Sequence, residues 1–524
     1  MPRFFRHISA SAFQFGLNQA LGLALFYVLS RGLDKNQFGE LNWSLAVCLT
    51  GFALLGLGLD SLVVKKIAAG EAPGNILALY RGHVRWVGGA VYLALLAAAW
   101  AFPGFFGKHY FLLGIALAKT FLFWSLPYKQ LAAGRERFGI LMRMSVCSTA
   151  LKTIAVLVCA VTHTWSFPVL IGIFVAGDAL EWGVSWWLGR RLAVPRSPAD
   201  AAPRSPADAA PRAPADAAPR ARIYATPCTP ADAAPRAPTA AAPTAPPTLA
   251  SWLTLLREAL PQAGVVLFSS AMARFDWIFI GLFVSAASLA EYSFAYKAFE
   301  VASLPLLVVA PLLVPMFTRQ ANEGRLDPAD LQQLLRAELI VAFGTVLWLN
   351  LSWAPLVNAL TAGRYGTVNM RTIFILSLCL PLLYVNNFLW TLHFAHGRLG
   401  WILKAFAVAF LFNVGGDLFL IPRYGNEGAA LAFLGAVLLQ TLLYHKGVRE
   451  VPAGKVWPTF GLCAACAGLA GLSALRLTDN AWSRVIGATL LYGLALLTWT
   501  WGDIRSLLGA TRRSRSPYSP GDGG

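Results

Sequence analysis

From Phe167 to Gly189 the chain reads Phe167-Pro-Val-Leu-Ile-Gly-Ile-Phe-Val-Ala-Gly-Asp178-Ala-Leu-Glu181-Trp-Gly-Val-Ser-Trp-Trp-Leu-Gly189, and Arg190-Arg191 follow at once. An α-helix of about 20 residues crosses the roughly 30 Å hydrocarbon core of a bilayer, and this stretch has that length. It carries two acids, Asp178 and Glu181, and a pair of arginines closes one end, where cationic side chains anchor a helix on the cytoplasmic side. The reading is a membrane-spanning helix with an ionisable residue near its middle.

Moving outward, the same pattern recurs. Apolar windows of spanning length lie near 10–30, 41–62, 86–106, 110–132, 140–161, 167–189, 259–283, 289–316, 338–360, 372–395, 400–420, 427–444, 457–475 and 485–502, fourteen in all. Across the 524 residues 57% are hydrophobic and 13% charged, half the charged share of about 25% typical of soluble domains. The chain therefore reads as an all-α polytopic membrane protein. The first apolar stretch runs into Arg31-Gly-Leu-Asp34 without a small-residue cleavage site, so it reads as a span and not a removable leader. The net charge of +18 would suggest nucleic acid in a soluble protein; here it reads as membrane anchoring, and no nucleic-acid partner is expected.

Lys and Arg count 31 in alternate segments starting from the N-terminus, the adjoining window ends included, and 8 in the others, with Lys119, Lys152, Arg274 and Lys297 deeper inside spans. That asymmetry places both termini in the cytoplasm and supports the number of spans. Residues 193–248 differ, with 14 of the chain's 31 prolines and an eight-residue repeat beginning at Pro195. Proline at this density forbids a helix, so the segment reads as a disordered tether without further function. It divides the chain into an N-terminal lobe, 1–192 (spans 1–6), and a C-terminal lobe, 249–446 (spans 7–12). A helix pair at 447–504 and a cytoplasmic tail at 505–524 follow.

Seven scattered cysteines give no disulfide framework, and Cys463-x-x-Cys466 lies inside an apolar window where small packing residues are expected. No Gly-x-x-x-x-Gly-Lys-Ser/Thr phosphate loop is present. The loops opposite the linker are short, which disfavours a membrane glycosyltransferase or polymerase with a large acceptor site. A carrier is the simplest reading, without enzymatic activity, cofactor or metal.

An ionisable side chain at mid-bilayer costs at least ~2.5 kcal/mol on insertion scales and faces a partner or a wet cavity. Lys119, Lys152 and Asp178 fall near the midplane of the first lobe, with Glu181 on the same helix face as Asp178. In the second lobe Lys297 and Glu300 share a face, while Arg274 and Asp276, two residues apart, point in different directions. Two readings stay open. Lys119 or Lys152 with Asp178 or Glu181, and Lys297 with Glu300, form structural ion pairs; or the set lines a vestibule, with Arg274, Lys297, Lys119 and Lys152 binding an anionic cargo and Asp276, Glu300, Asp178 and Glu181 available to a coupling ion. Arg274 is the first choice for cargo, since guanidinium keeps its proton and matches phosphate. Asn386, Asn387 and Asn413 read as interhelical hydrogen bonds or cavity lining, and His393, His396 and Asp60 as interfacial residues.

Several stretches resemble the bacterial polysaccharide (O-antigen type) flippases. They are Tyr27-Val-Leu-Ser-Arg31-Gly-Leu-Asp-Lys-Asn-Gln-Phe38-Gly39-Glu, then Leu55-Gly-Leu-Gly58-Leu-Asp-Ser with Lys65-Lys66 after it. Arg274-Phe-Asp276-Trp-Ile-Phe-Ile-Gly281 and Glu291-Tyr292-Ser-Phe-Ala-Tyr296-Lys297 follow, then Ala395-His-Gly397-Arg398 and Ile421-Pro-Arg-Tyr424-Gly425-Asn-Glu-Gly428-Ala-Ala. The resemblance covers the chain except 193–248 and the last twenty residues. It implies the multidrug/oligosaccharidyl-lipid/polysaccharide exporter fold, two six-helix lobes around a V-shaped cavity plus a C-terminal helix pair, in the bacterial inner membrane. It also implies an undecaprenyl-diphosphate-linked oligosaccharide as cargo, flipped for cell-surface polysaccharide biosynthesis, with membrane lipids and the glycan's polymerase and ligase as partners. A multidrug antiporter and a lipid-linked peptidoglycan precursor flippase are the alternatives within that superfamily.

Overall fold

The computed structural model describes residues 2–193, 249–447 and 453–513, except 70, 72, 136, 273, 307–312, 314–315, 319, 321–326 and 479. The expected tether, Cys228 and the end of the tail from 514 lie outside the described residues. Among them the regular structure is helical. The first half contains α1 (Pro2–Gly32), α2 (Lys35–Leu55), α3 (Leu59–Ala68), α4 (Pro73–Ala101), α5 (Pro103–Lys108), α6 (Leu112–Gly134), α7 (Phe138–Thr162) and α8 (Phe167–Ala193). The second half contains α9 (Leu249–Met272), α10 (Phe275–Phe283), α11 (Ala286–Ala302), α12 (Pro328–Thr361), α13 (Met370–Ala395) and α14 (Leu399–Gly447). The final pair is α15 (Ala453–Leu477) and α16 (Ala481–Arg513).

Eight described helices are long and apolar enough to cross a membrane. Large apolar side chains point outward from several of them, among them Trp86, Trp100, Val161, Phe419 and Leu472, as a protein solvated by lipid requires. Charged side chains such as Asp178 and Asp276 lie inside.

Two of the expected spans, 41–62 and 259–283, are not the simple rods that their apolar windows suggest. The 41–62 window breaks at Gly56-Leu57-Gly58, where Leu57 and Gly58 take positive φ of 49° and 69°, and the His83 ring binds the Leu55 carbonyl freed there (2.8 Å). The 259–283 window breaks between α9 and α10 at Arg274. The windows 400–420 and 427–444 form the two arms of α14, which folds back on itself at Gly425 (φ 54°, ψ −128°). Gly428 lies against the Leu420 carbonyl, Gly416 against Ala432 and Gly435 against Phe412, so the arms run antiparallel and close.

One hydrophobic core runs through both halves, from Leu29 and Phe38 to Trp277, Tyr292 and Val437. A second joins α12 and α13 to the final helix pair. There the Tyr492 hydroxyl donates to the Ile340 carbonyl (3.0 Å) and Trp348 donates to Thr489 (2.8 Å).

The halves meet at both ends of the bundle. At the end where α1 turns into α2, Arg364 donates to the carbonyls of Ser30 (3.1 Å) and Leu33 (2.9 Å) at the C-terminus of α1. In return Tyr27 (2.9 Å) and Arg31 (3.1 Å) donate to the Leu360 carbonyl at the C-terminus of α12. Each half thus caps the other's helix end, where unsatisfied carbonyls and the negative dipole end favour a cation. Lys35 on Glu291 (2.5 Å) completes this clasp. Just inside it Trp43 donates to the Ile278 carbonyl (3.2 Å), and Gly39 packs directly on the Ala286 carbonyl. At the linker end Lys66 pairs with Glu258 (2.9 Å), a hydrogen bond that holds its ammonium above the usual lysine range.

A Cβ at position 39 would collide with main chain of the other half. Gly39→Val should therefore part the halves at the clasp. Spin labels at Lys108 and Val368, both exposed and on opposite halves, should report a longer and broader distance distribution than in the unsubstituted protein. An unchanged distribution would show that the contact does not set the closure.

Candidate functional site

The charges inside the bundle form three sets. In the first half, α6, α7 and α8 converge on Asp178, which is fully buried. Lys119 of α6 donates to one carboxylate oxygen (2.8 Å) and Lys152 of α7 to the other. Gly177, beside Asp178, leaves the space that the Lys152 stem occupies. Glu181, one turn along α8, takes Lys129 and neither of the two lysines considered from sequence, because Lys129 enters from α6 at that level. The set holds three cations and two anions. The side chains of Lys119 and Lys152 are 8% and 10% accessible, so this is a packed, internally satisfied cluster.

The second set sits at the break between α9 and α10. Arg274 occupies the break and α11 runs beside it. Arg274 Nη2 donates to Glu300 Oε1 (3.1 Å), and Lys297 donates to Glu300 Oε2 (2.7 Å). The guanidinium lies over the Trp277 ring (4.3 Å) with Tyr296 at 5.8 Å. Arg274 Nη1 has no partner. Unlike the first set this one is open: the three side chains are 24% (Arg274), 21% (Lys297) and 25% (Glu300) accessible. Lys297 follows Phe294 by one turn of α11, and Phe294 packs on Phe26 of α1 across the halves (5.9 Å). The set thus adjoins the contact between the halves, on the interior side of the clasp.

The third set is acidic. Asp276, 2% exposed, accepts from the Tyr292 hydroxyl (2.6 Å) and the Trp277 amide (2.8 Å), so it points away from Arg274 as the two-residue spacing requires. Within its electrostatic reach lies Asp417, a fully buried residue on the first arm of α14. Asn413 donates to one Asp417 oxygen (3.0 Å); the other Asp417 oxygen and the Asn413 carbonyl have no partner. Asp417 was not among the sequence candidates, although the spacing Asn413-x-x-x-Asp417 in an apolar run marks one polar face of a helix. Among the described residues no three His, Cys, Asp or Glu side chains cluster as a metal site.

Other polar positions settle into packing roles. Asn386 reaches from α13 to the Val437 carbonyl of α14 (3.2 Å). His393, expected at the interface, is buried, with its ring on the Tyr444 carbonyl (2.9 Å), because α14 covers it. Asp60, also expected at the interface, accepts the Tyr80 hydroxyl and ties α3 to α4. A further buried pair, His109 with Glu40 (3.0 Å), stacks on Trp43 at 3.9 Å and stiffens the clasp end.

Removing one partner of a buried ion pair costs about 3–5 kcal/mol, because the other charge is left uncompensated. Asp178→Ala should lower thermal stability in detergent accordingly, and the triple change Asp178→Leu, Lys119→Met, Lys152→Met should recover most of it. A single substitution with no effect on the melting temperature would contradict the packed-cluster assignment.

No family model matches the chain, and no curated protein matches its sequence. Solved structures match in fold. The lipid II flippase MurJ in an inward closed conformation superposes with a TM-score of 0.69 at 12% identity, over 94% of this chain and 99% of that one. An inward-facing multidrug resistance MATE transporter of the MOP superfamily gives 0.59 at 12% identity, over 83% and 98%. A MOP superfamily transporter from Pyrococcus furiosus, described as having a binding pocket of reverse polarity, gives 0.53 at 12% identity, over 90% and 95%. The chain has the multi-pass helical fold of these transporters.

Proposed function

We propose that this chain is a flippase that moves an undecaprenyl-diphosphate-linked oligosaccharide from the cytoplasmic to the outer leaflet by alternating access. The observation that carries the reading is the open Arg274–Lys297 pair at a helix break beside the lobe seam. Two cations there, one with an unpartnered donor, suit a diphosphate and disfavour a cationic drug. The loop asymmetry then puts the linker end in the cytoplasm and the clasp at the outer face. Moving each negative charge outward from a negative-inside cell is favoured by about 2.3 kcal/mol per 100 mV. The likeness to a lipid II flippase supports the peptidoglycan precursor as a second cargo of the same chemistry.

Of the coupling-ion candidates, Asp178 and Glu181 are taken up by lysines and Glu300 by Arg274 and Lys297. Asp276 with Asp417 is the acidic set with acceptors to spare, and it would take a proton or a monovalent cation.

Two measurements in sealed vesicles test this. Transbilayer movement of fluorescent undecaprenyl-diphosphate oligosaccharide should require the protein and fall at least ~10-fold in Arg274→Ala, the loss of about 1.4 kcal/mol or more of binding. Movement insensitive to Arg274 would remove the residue from the site, and no movement of any glycan would reject the flippase. Asp417→Asn should abolish the dependence on an imposed ion gradient; retained dependence would place coupling elsewhere.

A further inference from the structure

Glu300 stands where the cargo's phosphate would stand. Its two oxygens engage Arg274 (3.1 Å) and Lys297 (2.7 Å) separately, the geometry in which a phosphate would bridge the same two donors. We propose that Glu300 is a tethered competitor: it holds the Arg274–Lys297 pair when the carrier is empty, is displaced by an incoming diphosphate, and displaces that diphosphate again at the other face. The proposal rests on the diphosphate reading of the site and adds a residue that governs release.

Three observations separate Glu300 from an ordinary structural counterion. Asp178 also bridges two cations, but its set is sealed, whereas the Glu300 set is about a quarter accessible. An exchanging anion needs that access, and a structural one does not. The cation pair is also not saturated: Arg274 Nη1 is buried and without a partner, so it becomes a further donor for the anion as Glu300 is displaced. Finally, Glu300 sits one turn from Lys297 on α11, while Arg274 belongs to the break before α10. Displacing Glu300 therefore frees Arg274 from α11, while Lys297, on the same helix as Glu300, stays within a rotamer change of it for its return.

Without such a residue, release would leave two bare cations in a low-dielectric interior, and the carrier would hold its cargo. With it, binding and release exchange one anion for another, so the empty carrier can reset. The cost appears as affinity. If Glu300 is latched about nine-tenths of the time, apparent affinity for the diphosphate falls ~10-fold from the intrinsic value.

The test uses the full-length protein in detergent with farnesyl diphosphate as probe, followed by calorimetry, and the vesicle assay for movement. Glu300→Gln and Glu300→Ala should each bind farnesyl diphosphate about tenfold more tightly than the unsubstituted protein. In vesicles KM and kcat for the lipid-linked oligosaccharide should fall together, because release slows. A misfolded or merely destabilised variant would bind more weakly, so the sign of the change distinguishes the roles. Unchanged or weaker binding in both variants, with Arg274-dependent binding in the unsubstituted protein, would overturn the competitor and leave the cargo reading intact. No Arg274-dependent binding of farnesyl diphosphate by any of the three proteins would overturn both.

Discussion

A charge inside a hydrocarbon layer must bring its counter-charge with it, and much of this protein is organised around that requirement. The solution is used twice in the same form, with one carboxylate shared between two cations. Asp178 draws α6 and α7 onto α8, and Glu300 ties the break before α10 to α11. Because each oxygen has a directed partner, the arrangement fixes helix rotation as well as proximity. The surrounding apolar packing is comparatively permissive, since lipid solvates leucine as readily as another helix does.

What separates the two sets is access. The Asp178 set lies within the first half of the chain, and the Glu300 set adjoins the contact between the halves. The flippase we propose would use both: rigid bodies that do not rearrange, and a polar surface at the joint whose partners can change. The close backbone approach at Gly39 and Trp43, and the ion pair at Lys66, bound that joint at its two ends.

Hydropathy made the helices legible because about 20 apolar residues in a row have few other fates. The breaks were not, for reasons visible in particular residues. Gly56-Leu57-Gly58 is as apolar as its surroundings, and only its positive φ angles end the helix. Arg274 reads as one more residue of a window until the chain around it is seen to bend. Depth along a helix identified Lys119, Lys152, Asp178 and Glu181 as interior charges. Which acid takes which base depends on helix rotation and offset, and so Lys129, near the end of the 110–132 window and not among the interior charges, holds Glu181. Asp417 escaped notice because the glycines and apolar residues around it kept the window hydrophobic, though Asn413 one turn earlier already marked a polar face.

The clasp has a property of a different kind. Its donors are side chains, Arg364, Arg31 and Tyr27, but its acceptors are main-chain carbonyls at Ser30, Leu33 and Leu360. A carbonyl is present whatever residue bears it, so substitutions at the accepting positions leave the contact chemically intact. The two halves can drift in sequence on one side of this joint without a matching change on the other. Methods that infer contacts from correlated substitutions would detect the Lys35–Glu291 pair and remain blind to the more numerous main-chain bonds of the same closure.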